Sequence, residues 1–359
     1  MRKWLIALLF LLGCICLALF FRLGDDKAVA ETKPSWSLVY SGCSPLGALG
    51  AYKDGFAACN AKGDLLVFPK DKEPMTCKIS EYSFSAPPLE KDGIVYVGDE
   101  NGIFHAFSPE RGELWSYRTG NQIVGGAVVF DGLVWVGSHD HTLYAFAEEN
   151  GKVMHSVDCG AQVNATPVLD EPNRTLILGS CDGKLRCISL LDGSLTGEID
   201  LESPIPENPV LHDGIVYALS HQGVLAAVNA SSFQEIYRVN TLSGCFAPPC
   251  IAGNYVFVTG ENGTVQARRK SDGELVETWE IGERINTPCA VGDDTVYAVS
   301  GMGKLHRWLC HAEKWTHDVV ADFQTDCRLG CHVFGNELLV PDENGGVLLY
   351  REAKPLNLF

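Results

Sequence analysis

The chain has 359 residues, 46% of them hydrophobic, with a formal charge of −17, 14 cysteines and 37 glycines. That apolar content excludes a disordered chain, and the length suits two ordinary domains or one large all-β domain. The acidic balance repels phosphate backbones, so nucleic acid is excluded as a partner.

Residues 1–22 start with Arg2 and Lys3 and continue as an uncharged, mostly apolar run over residues 4–21. As a helix this run would be about 27 Å long, close to the hydrocarbon thickness of a bilayer. Three fates are open: a retained signal anchor, cleavage after Ala28-Val29-Ala30, or lipidation at Cys14 after Leu11-Leu12-Gly13. Each places the rest of the chain outside the cytoplasm, on the periplasmic or cell-surface side, anchored or secreted. Residues 23–34 are mostly polar and read as a linker.

From there one unit recurs. Asp92-Gly93-Ile94-Val95-Tyr96, Asp131-Gly132-Leu133-Val134-Trp135 and Asp213-Gly214-Ile215-Val216-Tyr217 each set a tight turn before a β-branched and aromatic strand. Eight such turns, from Asp54-Gly55 to Gly335-Asn336, lie about 40 residues apart, the period of a β-propeller built from four-stranded blades. Within a unit, strand one is short and often carries proline (Pro167, Pro209, Pro249, Pro288). Strand two is the Val-Tyr strand, strand three holds a small residue among apolar ones, and a glycine turn leads into strand four. The last unit supplies three strands over residues 331–350, followed by a tail at 351–359. Residues 35–40, Ser-Trp-Ser-Leu-Val-Tyr, read as the missing fourth strand, with Trp36 in the place that Trp115 takes in another unit. Joining the two ends in one blade closes the ring and removes exposed edges.

The spacing of the cysteines builds no site: there is no Cys-x-x-Cys and no Cys-Cys pair. They read as small buried hydrophobes, with one or two disulfides as the alternative. No Gly-x-Ser-x-Gly elbow, P-loop or His-Glu-x-x-His occurs, so no catalytic residue is assigned. The polar turn between strands two and three of the third unit holds His139, Asp140 and His141, with His221 in the matching turn of the fifth unit and Met302 in that of the seventh. In a propeller these turns share one face with the connections between blades, so these residues, with Cys181, would surround one mouth. The two histidines around an aspartate have the chemistry of a metal site, but side chains on adjacent turn positions diverge. We therefore read His139, Asp140, His141, His221 and Met302 as the face for a protein partner and assign no metal. Asp99-Glu100-Asn101 and Asp342-Glu343-Asn344 have a Ca²⁺-like composition, yet each ends in the glycine a hairpin turn requires.

The pattern PVxxDGxVYxGxxxGxLxAxxxxxGxxxW, clearest over residues 88–115 and 209–228, resembles the quinoprotein-type (PQQ-like) eight-bladed propeller, and the likeness spans about 35–350. The resemblance implies an all-β propeller and leaves three classes of function. Quinone-using dehydrogenases of the family carry PQQ and Ca²⁺ in long insertions, and some have an adjacent Cys-Cys pair that is absent here. A periplasmic lipoprotein that helps assemble outer-membrane β-barrels is closer in length. Other members append similar repeats to larger enzymes. The compact repeats favour a membrane-anchored, extracytoplasmic, non-enzymatic scaffold with no cofactor. A small quinone- or metal-dependent oxidoreductase is the rival, so PQQ and Ca²⁺ stay open.

Overall fold

The computed structural model describes residues 35–42, 44–70, 72–241, 244–291, 294–334 and 337–351. The predicted anchor, its Cys14 lipidation signal, the linker and all of the tail beyond Arg351 lie outside the described residues. Among the described residues no helix is long and apolar enough to cross a membrane.

Eight four-stranded antiparallel sheets form the blades of one propeller. Seven are continuous in sequence, at residues 46–78, 89–118, 128–158, 168–200, 210–240, 250–280 and 285–322, and the eighth is composite. There His332–Phe334, Glu337–Pro341 and Val347–Arg351 are completed by Ser35–Tyr40, which pairs antiparallel with Val347–Arg351. The two ends of the described chain thus share one sheet, as expected from the missing fourth strand.

Two sequence expectations need correction. Pro167, Pro209 and Pro249 do not lie in strand one but directly before it, since those strands begin at Val168, Val210 and Cys250. Proline has no N–H for the ladder, and a position ahead of the first paired residue costs no bond. Only Pro288 falls inside a strand, Ile285–Val291, where the register shifts. Secondly, Trp36 is not the counterpart of Trp115. Trp115 pairs with Ala106, whereas the matching position opposite Leu349 is Ser37, and Trp36 faces Tyr350. A one-residue offset turns a side chain to the other face of a sheet. Trp115 is accordingly 9% exposed and Trp36 43%.

The core lies in the seams between blades, each filled from both sides. Tyr96, Phe104 and Trp115 of the second blade meet Val134, Val136 and Phe146 of the third. Trp135, Leu143 and Ala145 meet Leu176, Leu178 and Ile188 in the next seam. Each seam is plugged at one end by an apolar residue from the crossover to the following blade. Ile123, Val163 and Ile205 are fully buried and sit against Gly98, Gly137 and Gly179. A Cβ on Gly98 would lie 2.1 Å from Cγ2 of Ile123, so the absence of a side chain makes the socket. In the fifth blade the sizes are exchanged, with Leu219 at the socket and Cys245 as the plug. Val299 and Cys327 repeat that exchange in the seventh. This accounts for part of the cysteine content: the thiol is a small apolar filler at a seam. Cys59, Cys159 and Cys187 are likewise buried, with free thiols.

Candidate functional site at the crossover face

Each turn between strands two and three is fastened to the crossover that enters its own blade. The N–H groups of Ala61, Glu100, His139, Cys181, His221, Glu261, Gly301 and Glu343 donate to the carbonyls of Pro45, Ser83, Gln122, Gln162, Pro204, Gly244, Arg284 and Asp326, all at 2.8–3.0 Å. One main-chain bond thus repeats around the ring and makes this face a tied surface. His139, Cys181 and His221 occupy the same turn position on three successive blades, as the sequence placed them. The blades hold them apart: among the described residues no three His, Cys, Asp or Glu side chains converge to hold a metal.

Each predicted residue then has a local account. The ring of His139 places Nδ1 2.8 Å from Nε2 of Gln122, and burial lowers its pKa against a bond from Asn164 that raises it. Asp140 accepts from the Gly120 N–H at 2.7 Å, the Thr142 N–H at 3.0 Å and the Tyr144 hydroxyl at 2.8 Å. Burial pushes this carboxyl up, and those bonds outweigh it and hold the pKa below the usual range. His141 is exposed with φ of 76°, the left-handed turn position. Met302 is 64% exposed.

The two Ca²⁺-like turns are built as hairpin turns. Asp99 accepts from the N–H of Asn101 and of Ile103, and its other oxygen takes the Ser80 hydroxyl at 2.7 Å and lies 3.3 Å from Nε2 of His105. Asp342 accepts from the N–H of Asn344 and of Gly346. These carboxylates are occupied by the protein itself, and Asp182 is likewise paired with Arg186 and Ser180. These turn carboxylates therefore do not fit as ligands of a Ca²⁺-quinone centre.

Three features escaped the sequence reading. The first is the pair Phe246 and Arg284, which join the predicted His221 and Met302 in a strip on blades five to seven. The ring of His221 lies 4.4 Å from that of Phe246, and the Arg284 guanidinium sits 5.7 Å from the same ring on its other neighbour. Phe246 is 42% exposed, and Met302 follows Gly301, the residue bonded to Arg284. The second is Glu207, on the crossover into blade five beside Asn208. Burial pushes its carboxyl up to about 7. Asn208 accepts from the Thr166 N–H at 2.7 Å, and the Thr166 hydroxyl accepts from the Gly126 N–H at 2.8 Å, so a polar chain links blades three to five. The third is a pair of stacked imidazoles in blade seven: Nδ1 of His306 lies 2.9 Å from Nε2 of His317, beside Trp308. The ladder between Lys304–His311 and Lys314–Asp322 brings His317 to His306.

The sequence profile of the family described as outer membrane protein assembly factor BamB matches residues 78–279, more than half of the chain. The chain belongs to this family. No curated protein matches it significantly by sequence. Among solved structures, BamB from Moraxella catarrhalis is 16% identical with a TM-score of 0.75, covering 88% of this chain and 98% of that one. The computationally designed Ika8 protein is 15% identical with a TM-score of 0.73, over 88% and 98%. Sqt1 of Saccharomyces cerevisiae is 11% identical with a TM-score of 0.76, over 89% and 99%. At these identities the three show that one BamB, a designed protein and a yeast protein share one fold with this chain, and nothing about what it does.

Proposed function

We propose that the protein is a non-enzymatic, extracytoplasmic scaffold that holds a protein partner on the crossover face of its propeller, tethered through residues 1–22. The observation that carries the reading is the strip of His221, Phe246, Arg284 and Met302 on the tied face. Aromatic, arginine and methionine side chains are the types that anchor protein interfaces, and Phe246 and Met302 are both well exposed. Membership of the family described as an outer membrane protein assembly factor supports a partner in envelope assembly. In this reading His139, Asp140 and His141 shape the same face two blades away. The repeating main-chain bonds keep the strip in one geometry, which lowers the ordering cost of docking.

The test is a crosslinked pull-down of tagged full-length chain from native membranes. A near-stoichiometric envelope protein is expected, and Phe246→Asp with Met302→Asp is expected to lose it while the unfolding midpoint stays within error. Retention of the partner by that double variant, or recovery of the chain alone, overturns the reading.

A further inference from the structure

Each crossover leaves from the end of a fourth strand, so the start of that strand lies on the face opposite the tied turns. Between Leu89 and Glu280, eight large apolar side chains among the described residues are exposed. One of them, Phe246, belongs to a crossover. The other seven all lie at the opposite face. Leu114, Met154, Leu195, Ile236, Leu275 and Val276 fall within the first three residues of a fourth strand, and Leu191 sits in the turn just before one.

Their placement repeats in register. Leu114, Met154, Ile236 and Val276 each directly precede the residue that pairs with the small residue of strand three, which is Ala106, Ala145, Ala227 or Ala267. In blade four that position is Thr196, preceded by Leu195, and Leu191 at the turn is 79% exposed. Neighbouring blades overlap at this level. A Cβ on Gly193 would lie 3.0 Å from Cβ of His155, and one on Gly273 would lie 2.6 Å from Cε2 of Tyr237. The turn of blade four therefore rests on the strand that carries Met154, and the turn of blade six on the strand that carries Ile236. The exposed apolar side chains thus form a row along the rim of blades two to six.

Two observations decide what covers the row. The first is residue type. The row holds leucine, isoleucine, valine and methionine, with no aromatic residue and no arginine, the types that anchor protein interfaces and that the crossover strip does carry. The second is where the chain enters. Ser35–Tyr40 is the fourth strand of the composite blade, so it too starts on this face, and the chain ahead of Ser35 departs from there. That chain includes the apolar run at 4–21, and the linker at 23–34 reaches at most about 40 Å even when fully extended. A bilayer that holds the run stays within reach of this rim.

We propose that the rim rests on the lipid surface in which the chain is tethered, its aliphatic side chains entering the boundary between headgroups and acyl chains. The crossover face is then presented away from the bilayer. The lipid is zwitterionic, because a chain with a formal charge of −17 is repelled by an anionic surface and makes its contact through apolar burial. The proposal rests on the tether of the proposed function and is independent of which partner the crossover face holds.

The experiment uses the full-length chain in phosphatidylcholine vesicles, with a genetically encoded dansyl amino acid in place of Leu191. Lipid carrying a nitroxide near its headgroup is expected to quench this reporter at least about twofold. The same reporter in place of Met302, on the crossover face, is expected to stay unquenched. Met154→Asp with Ile236→Asp is expected to restore the emission from position 191 while the chain still floats with the vesicles and keeps its circular dichroism and unfolding midpoint. Leu195→Asp alone gives a second route should that pair fail to fold. A chain that does not float with the vesicles overturns the tether and this proposal together. A chain that floats with no quenching at position 191, with equal quenching at 302, or with quenching that survives both variants overturns the rim contact alone. A photoreactive benzophenone at position 191 that captures a protein from native membranes, and no lipid, would assign the rim to a protein and overturn it as well.

Discussion

Replacing Gly98 with alanine puts a methyl group where Ile123 already stands, 2.1 Å from its Cγ2 and 2.3 Å from its Cβ. Overpacking of this kind costs about 1–3 kcal/mol. Ile123→Ala, at a fully buried site, removes three carbons and leaves a cavity, for a loss of about 2–5 kcal/mol. Taken independently the two changes would cost about 5 kcal/mol together. The geometry says otherwise, because the new Cβ at position 98 lies 2.1 Å from the vacated Cγ2 and extends into the space it leaves. In the double variant the clash with Cγ2 is gone, the remaining 2.3 Å approach to the Cβ that alanine keeps can relax into the vacated space, and one of the three lost carbons is replaced, worth about 1 kcal/mol. The double variant should therefore cost about 2.5 kcal/mol, a coupling of about 2.5 kcal/mol between the sites. Equilibrium urea unfolding followed by tryptophan fluorescence measures all four corners of the cycle. Additivity within about 0.5 kcal/mol would refute the plug-and-socket account of the seams.

The remaining predictions concern charge and polar satisfaction. Glu207 has a native pKa of about 7 against an ordinary value of 4.5, so the folded chain holds its proton over a window in which the unfolded chain has released it. Stability should fall as pH rises from 4.5 to 7, by up to about 3 kcal/mol, and Glu207→Gln should remove that slope in urea midpoints taken across the window. His306 behaves in the opposite sense. Burial first, and the neighbouring His317 second, lower its pKa to about 4, so the unfolded chain takes up the proton earlier and stability is lost as pH drops from 6.5 to 4. His306→Gln should flatten the acid limb of the same titration, and an unchanged limb would contradict it. Asp99→Ala leaves Ser80 and His105 without their shared acceptor and should lower the unfolding free energy by about 3 kcal/mol; a loss below about 1 kcal/mol would show that the bonds are readily replaced.

The fold was legible because its signals are local. An Asp-Gly turn before Val-Tyr, repeated about every 40 residues, reports strand, turn and blade within one short window. The closing strand was legible because the last unit lacks a fourth strand and residues 35–40 stand unpaired in the repeat pattern just ahead of the first unit. Its register was not, and Trp36 shows why: a tryptophan one position off changes faces while leaving the composition of the segment unchanged. The ring of tied turns was hidden by chemistry. Ala61, Glu100, His139, Cys181, His221, Glu261, Gly301 and Glu343 have nothing in common as side chains, because the repeated interaction belongs to their main-chain N–H groups. His306 and His317 were hidden by distance along the chain, since a hairpin had to fold before the two rings could stack.

That division bears on how such a propeller acquires a partner. Each blade fixes the main chain of its turn through a bond that any residue except proline can make. Side chains at the eight turn positions and in the crossovers are then free to vary without disturbing the ring. A cation over Phe246 on one blade and a capped Asp140 on another are two outcomes of that freedom on one frame. The seams obey the opposite rule, where a glycine demands a branched plug and a leucine demands a cysteine. Substitutions in the seams should therefore move stability while leaving partner capture in place on the folded chain. Exchanges such as Phe246→Asp should do the reverse. A seam variant that folds to full stability yet loses the partner would mean that the face is shaped by the packing beneath it rather than by its own side chains.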